Sequence, residues 1–192
     1  MQVYVTFCDH NYNFLVVKKR QLNRWWGGQI GAQNSLVNQA GQWAFPGGRC
    51  ECNSGDDHSA DAKREFEEET GLDFPPARLI RIHKQQAYQL YVYQANDVTK
   101  MAHDIRNFTA PSKVAVDRPN NPKIKDWELA DAELVPQIML HTYLGKKETN
   151  ISAEAKVRID RLSPRSYSQS IDWYAEMATA LQTANLSTSS KL

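Results

Sequence analysis

The chain has 192 residues, of which 41% are hydrophobic, enough for one domain with its own core and too few for two domains of ordinary size. Lysine and arginine total 23, aspartate and glutamate total 22, and the net charge is +1, which predicts neither a general nucleic-acid binder nor an acidic disordered protein. The sequence has no signal-peptide pattern, no apolar run of membrane-spanning length and only three cysteines, so we expect a cytoplasmic protein without disulfides.

The first half of the chain predicts a hairpin, a long loop and a helix. Residues 2–8 and 13–18 are rich in β-forming residues and flank the polar sequence DHNYN, which is typical of a hairpin. Residues 19–40 show neither helical nor strand periodicity and contain Gly-Gly, Asn and Ser, so we predict a loop. WAFPGG predicts a short strand stopped by proline and glycine, and a helix follows, with Asp57 as its N-cap and Gly71 past its end.

The second half predicts two strands, RLIRI and AYQLYVYQ, and then an amphipathic helix, NDVTKMAHDIRNF. DWELADAELVP predicts a short strand and a turn, and SAEAKVRIDRL and SQSIDWYAEMATALQ predict two helices. We expect a single domain over residues 1–183 and a flexible tail over 184–192, which has nothing to bury. The final Ser190-Lys191-Leu192 matches a eukaryotic peroxisomal address, unless the match is chance in a serine-rich tail.

An acidic cluster lies on the first predicted helix. Glu65, Glu68 and Glu69 occupy positions i, i+3 and i+4, so their carboxylates project from one face. Such like charges repel each other, and a divalent cation removes that penalty. The competing interpretation is an ordinary solvated face, because glutamate is a good helix former.

The segment KREFEEETGL resembles the second half of the Nudix box, the strand–loop–helix signature of the Nudix hydrolase family, whose pattern is G-x5-E-x7-R-E-U-x-E-E-x-G-U with U an apolar residue. The preceding WAFPGG also fits what usually precedes this box. The residues that match its second half are Arg64, Glu65, Phe66, Glu68, Glu69, Gly71 and Leu72.

The first half of the box departs from the pattern. Asp56 stands where the pattern has glutamate, and seven residues separate it from the box glycine, Gly48, where the pattern has five. The segment RCECNSG, residues 49–55, therefore contains a two-residue insertion, and Cys50 and Cys52 lie in this segment. This C-x-C pair could bind a metal, but no second pair at zinc-like spacing accompanies it, so ordinary thiols are the favoured interpretation.

The resemblance implies an α/β protein with the Nudix fold, an α/β/α sandwich around a mixed central β-sheet. It implies a pyrophosphohydrolase that uses Mg2+ or Mn2+ to cleave a nucleoside diphosphate linked to another moiety, such as a dinucleoside polyphosphate, an ADP-ribose-like compound or a nucleotide. The alternative is a non-catalytic Nudix-fold module that binds a nucleotide or has a regulatory role. The insertion and the replacement of the first glutamate of the box by Asp56 suggest this alternative. Hard cations such as Mg2+ bind both the oxygen atoms of carboxylate ligands and those of a pyrophosphate substrate.

For the individual residues that match the box, the resemblance implies that Glu65 and Glu69 are metal ligands and that Glu68 is a ligand or activates water. It also implies that the Gly47 carbonyl is a further ligand beside the box glycine Gly48, and that Arg64 supports the site by pairing with Asp56. A further acidic residue is expected after the box, with Asp117, Asp126 and Glu128 as the candidates and Glu128 favoured.

Substrate recognition is predicted from aromatic and basic residues outside the box. Trp25 and Trp26 could stack on a base or be core residues, and Lys19 and Arg20 could hold phosphate or be solvated. Tyr88 falls where dinucleoside polyphosphate hydrolases of the family carry a tyrosine. We expect a small nucleotide partner, no membrane, and no nucleic acid other than a capped or triphosphorylated RNA end; a homodimer stays open.

Overall fold

The structure, a computed structural model, describes residues 1–51, 57–114, 117–145, 149–161, 164–184 and 186, without the side chains of residues 164–171. The chain forms nine strands, five helices and one 3-10 turn in these residues. The strands are β1 (Gln2–Cys8), β2 (Asn13–Lys19), β3 (Leu22–Trp26), β4 (Gln29–Leu36), β5 (Trp43–Ala44), β6 (Gly47–Arg49), β7 (Arg78–Lys84), β8 (Tyr88–Gln94) and β9 (Leu129–Pro136). The helices are α1 (Ser59–Thr70), α2 (Val98–Thr109), α3 (Leu140–Leu144), α4 (Ala153–Ile159) and α5 (Pro164–Gln182), and the 3-10 turn is Gln137–Met139.

Seven strands form one mixed sheet with β1 at its centre. β1 runs parallel to β8 along its whole length, and its other edge pairs antiparallel with β6 near its start and with β2 at its end. β2 in turn pairs antiparallel with β9 and β5, and β7 closes the far edge beside β8. A mixed sheet of this kind has helices on its faces because both faces are apolar.

Helices cover both faces of the sheet. Tyr4 and Phe7 on β1 are separated by three positions, so their side chains point to opposite faces. The Phe7 ring packs against Phe66 of α1 at 5.1 Å between centroids, and the Tyr4 ring packs edge-on against Tyr174 of α5 at 5.4 Å. The predicted α/β/α sandwich with a mixed central sheet is therefore confirmed.

The predicted loop over residues 19–40 is wrong, because most of it forms a separate two-stranded sheet of β3 and β4. Gly27 and Gly28 make the turn with φ of 57° and 75°, values that two-residue hairpin turns require and glycine supplies readily. Most of β4 is exposed, so it lacks the alternation of buried and exposed residues that reveals a strand in sequence.

The other predicted elements are present, with changes at their ends, except that Gly47 and Gly48, which were predicted to stop a strand, begin β6. The helix α1 has His58 rather than Asp57 at its N-cap position, although an Asp57 carboxylate oxygen accepts a hydrogen bond from the Ser59 amide at 2.9 Å. Gly71 ends α1 in the left-handed conformation, as predicted. Among the described residues, no helix combines the length and apolar character needed to cross a membrane. The predictions that concern Cys52, Asp56 and the last six residues lie outside the described residues.

Candidate active site

A polar cavity of about 310 Å³ opens where the central sheet meets α1. Four separate parts of the chain supply its acidic and basic groups: the end of β2, β6, the face of α1 and the segment that enters β9. The residues that line it are Gln2, Tyr4, Lys19, Asn38, Gln39, Gly47, Gly48, Arg49, Glu65, Glu69, Asp126, Glu128 and Tyr174.

Two glycines on β6 let the backbone approach both the sheet and α1. A Cβ on Gly47 would lie 2.1 Å from the backbone oxygen of Val3, and its φ of 153° also favours glycine. A Cβ on Gly48 would lie 2.2 Å from a carboxylate oxygen of Glu65. The amide of Gly47 donates a hydrogen bond to Glu69 at 3.0 Å, so β6 and α1 are fastened together at the cavity.

Arg64 holds two of the clustered glutamates from outside the cavity. Its guanidinium donates to Glu65 and to Glu68, each at 2.7 Å, and it lies 3.6 Å from an oxygen of Asp61. The Glu65 carboxylate therefore points into the cavity with a cation behind it. Burial raises the pKa of Glu65, and the attraction of Arg64 only partly offsets this effect.

Lys19 bridges two carboxylates inside the cavity. Its ammonium group donates to Glu69 at 2.6 Å and to Glu128 at 2.7 Å, and the side chains of Lys19 and Glu69 are only 4% and 3% exposed. Burial favours the neutral amine, but the charges of Glu128 and Glu69 outweigh it and raise the pKa of Lys19. Burial also raises the pKa of Glu69, and the nearby charge of Glu128 adds to that rise. The cavity therefore brings four carboxylates, those of Glu65, Glu69, Asp126 and Glu128, together with the cations of Lys19 and Arg49.

This geometry agrees with a comparison against protein families. The sequence model of the NUDIX domain matches residues 3–156, which is most of the chain.

The chain belongs to the Nudix family.

It is therefore a Nudix-type hydrolase, an enzyme of the class that acts on phosphoric anhydride bonds. No curated protein matches the chain in sequence. Similar solved structures include a MutT protein from Methanosarcina mazei (17% identity, covering 83% of this chain and 91% of that chain, TM-score 0.40) and a C. elegans Ap4A hydrolase (12% identity, covering 94% and 98%, TM-score 0.40). At these TM-scores the likeness adds nothing to the family assignment.

The structure brings most of the predicted Nudix site residues to one cavity. Glu65, Glu69, Glu128, Lys19, Gly47 and Gly48 all line it. Glu68 does not line it, because its carboxylate is held by Arg64 near the outer surface and is 33% exposed. Arg64 was predicted to pair with Asp56, which lies outside the described residues, and its described carboxylate partners are Glu51, Asp61, Glu65 and Glu68.

Four residues predicted to bind substrate do not line the cavity. Trp25 donates from its indole nitrogen to the backbone oxygen of Ile124 at 3.0 Å, and Trp26 lies beside it at the end of β3. The Arg20 guanidinium stacks on the Trp127 ring at 3.8 Å. Tyr88 is 1% exposed and belongs to the core.

Sequence reasoning missed the wall of the cavity. Tyr4 and Tyr174 come from β1 and α5, which are far apart in sequence and carry no motif that would associate them. Of the two other acids considered after the box, Asp126 lines the cavity and accepts a hydrogen bond from the Gly27 amide at 2.9 Å, whereas Asp117 pairs with Arg24.

Proposed function

We propose that this Nudix enzyme is a pyrophosphohydrolase that depends on Mg2+ or Mn2+ and cleaves a nucleoside diphosphate linked to another moiety. The observation that carries the proposal is the convergence of the Glu65, Glu69 and Glu128 carboxylates with the β6 backbone in one cavity. Oxygen ligands of this kind are those that Mg2+ prefers, and Mg2+ usually keeps waters and accepts substrate phosphate oxygens as well.

The residues present fit a divalent cation. Lys19 already sets a positive charge between Glu69 and Glu128, so this part of the cavity accommodates a cation. Burial makes the ionised forms of Glu65 and Glu69 costly, and a bound cation would remove that cost. Glu65, Glu69 and Glu128 would hold the ion together with the Gly47 carbonyl. When bound, the ion neutralises phosphate oxygens and lowers the pKa of a water molecule.

The chain itself supplies positioning and proton transfer. We assign Glu128 as the group that takes the proton from the attacking water, with the carboxylate oxygen that would not hold the ion, because Glu128 lines the cavity and 19% of its side chain is exposed. The water oxygen bonds to one phosphorus, the anhydride P–O bond breaks, and the released phosphate oxygen keeps the electron pair of that bond. Lys19 and Arg49 provide positive charge for the phosphate oxygens at the cavity.

The shape of the cavity restricts the identity of the substrate less than its carboxylates restrict the type of reaction. Tyr4 and Tyr174 line the wall next to the acids, but their side chains are only 3% and 2% exposed, so they leave little aromatic surface for a base. The polar cavity of about 310 Å³ supports a small nucleotide substrate, and a panel of compounds separates its classes: ADP-ribose, dinucleoside polyphosphates, NAD, nucleoside triphosphates, and capped or triphosphorylated RNA.

The test measures release of phosphate or mononucleotide from that panel with Mg2+, Mn2+ or EDTA. We expect cleavage of at least one compound, abolished by EDTA and lowered by about 100- to 1,000-fold in Glu65→Gln and in Glu69→Gln. Glu67→Gln is the matched control, since Glu67 is exposed on the same helix and accepts a hydrogen bond from the Phe74 amide. Absence of cleavage with nucleotide binding retained would overturn the proposal in favour of a non-catalytic module.

A further inference from the structure

A second cluster of ligand-type side chains lies outside the cavity, between the end of β6 and the start of α1. The sulfur of Cys50 lies 3.1 Å from Nδ1 of His58 and donates to Oδ2 of Asp61 at 3.0 Å. One potential ligand atom from each of the three residues lies within 4.8 Å of the others. The Nudix reaction proposed above uses none of them.

The cluster is fixed by contacts from other parts of the fold. His58 and Asp61 are only 6% and 4% exposed, and the His58 backbone amide donates to the Tyr91 hydroxyl at 2.8 Å. The second oxygen of Asp61, Oδ1, faces the Arg64 guanidinium at 3.6 Å and accepts from the Glu51 amide at 3.4 Å. Asp61 thus turns one oxygen to supporting groups and the other to the sulfur, as a metal-ligating carboxylate does.

The arrangement differs from that of a catalytic cysteine. In a cysteine–histidine–acid triad the acid contacts the histidine and orients its ring. Here the histidine and the acid both face the sulfur. A buried nitrogen donor and a buried oxygen donor that both face a partly exposed thiol are arranged as the ligands of a metal ion are.

We propose that Cys50, His58 and Asp61 form a second metal site, selective for Zn2+ or a similarly soft divalent ion. Tetrahedral zinc with its usual bond lengths places sulfur, nitrogen and oxygen ligands about 3.3–3.6 Å apart. The observed separations of 3.1 and 3.0 Å from sulfur are within about half an ångström of that range, and the ligand atoms of His58 and Asp61 lie within 4.8 Å of each other. Cys50 is partly exposed, so a water molecule can complete the coordination, and the thiol proton passes to solvent on binding.

Thiolate and imidazole ligands distinguish this site from the carboxylate cavity. Hard ions such as Mg2+ favour the all-oxygen set of Glu65, Glu69 and Glu128, whereas Zn2+ favours sulfur and nitrogen. A bound ion would link Cys50, which follows β6, to His58 and Asp61 at the start of α1. Arg64 contacts Asp61 as well as Glu65 and Glu68. The ion would therefore stabilise the start of the helix that presents the acids.

Co2+ is the probe that tests this site, because a cobalt–thiolate bond gives a charge-transfer absorption that carboxylate ligands do not give. The full chain is stripped with chelator and titrated with Co2+ and then with Zn2+ in the presence of excess Mg2+. We expect one equivalent of Co2+ to bind with the thiolate band and Zn2+ to displace it. Cys50→Ser should abolish the band, and Asp61→Asn and His58→Gln should each weaken Zn2+ binding by at least about 10- to 100-fold.

Two control variants separate this site from the buried thiol of Cys8 and from the active site. Cys8→Ala removes a cysteine that is fully buried in the core, and Glu69→Gln removes a ligand proposed for the catalytic ion; both should keep the band. Circular dichroism of each metal-free variant shows whether it folds. If Cys50→Ser does not fold, the Zn2+ affinity of Asp61→Asn is the measurement that tests the proposal. Cobalt binding without a thiolate band, or a band retained in Cys50→Ser, would overturn the proposal. Since the readout is metal binding, it does not depend on finding the hydrolase substrate.

Discussion

Gly47 and Gly48 are adjacent in the chain but serve different purposes. A side chain on Gly47 would collide with backbone, the oxygen of Val3, whereas one on Gly48 would collide with the flexible end of Glu65. Backbone cannot move without disturbing the pairing of β6 with β1, but a carboxylate can rotate away. The two positions therefore separate a requirement of the fold from a requirement of the site.

We predict that Gly48→Ala lowers kcat/KM by about 10- to 100-fold with little change in stability, because Glu65 must leave its position and small misplacements at a reacting centre are costly. Gly47→Ala should lower the free energy of unfolding by about 1–3 kcal/mol through strain and overpacking. Urea denaturation and steady-state kinetics measure both effects. Equal loss of stability in the two variants would contradict the distinction.

Single residues also show how far sequence reasoning reaches. The placement of Glu65, Glu68 and Glu69 on one face of a helix follows from their local spacing, and two of these three acids do line the cavity. Lys19 was predicted to contact phosphate, and the sequence gives no sign that it bridges Glu69 and Glu128, which are 50 and 109 residues away. Such contacts depend on how strands are paired, which local pattern does not encode.

The element that presents the acids, α1, is fixed at its C-terminal end by Gly71. This residue has a φ of 72°, and a Cβ there would lie 2.8 Å from Nδ2 of Asn121 and 2.9 Å from Cγ1 of Ile124. Asn121 also donates to the Gly71 backbone oxygen at 3.1 Å. The left-handed turn thus brings the end of α1 close to the segment that leads to Asp126 and Glu128.

Replacing Gly71 with alanine should therefore cost about 1–2 kcal/mol from the left-handed backbone alone, and more from the contact with Asn121. A double-mutant cycle with Asn121→Ala separates these contributions: the double variant should lose less stability than the sum of the single variants. Thermal and urea unfolding of the four proteins provide the values. Strict additivity would show that crowding by Asn121 plays no part.

The hairpin of β3 and β4 supports the same segment from the other side. The Gly28 amide donates to the Lys125 backbone oxygen at 2.9 Å, and the Gly27 amide and the Trp25 indole hold Asp126 and Ile124. The hairpin was missed in the sequence because β4 is largely exposed, β3 shows no alternation of buried and exposed residues, and the Gly-Gly turn also fits a loop. The contacts of Trp25 indicate a supporting position rather than the base-stacking one predicted.

At the scale of the whole molecule, a nearly neutral chain holds a strongly acidic cavity. The net charge is +1, yet Glu65, Glu69, Asp126 and Glu128 share one cavity with Lys19 and Arg49. Folding must place these acids together with little water, which costs stability unless cations accompany them. Lys19 supplies one such cation in the metal-free protein, so we expect metal binding and folding to be linked through it.

Lys19→Met tests this linkage. Without the ammonium group, Glu69 and Glu128 lose their shared partner, and the free energy of unfolding in EDTA should fall by about 3–5 kcal/mol, as for other broken buried ion pairs. Saturating Mg2+ stabilises whichever native state binds it, and the increase should be larger in Lys19→Met than in the wild type because the ion no longer competes with Lys19. Lys18→Met is the control, because the Lys18 ammonium group lies near the Trp43 ring. This variant should respond to Mg2+ as the wild type does. An equal Mg2+ response in Lys19→Met and the wild type would mean that the ion does not bind at the carboxylates that Lys19 bridges.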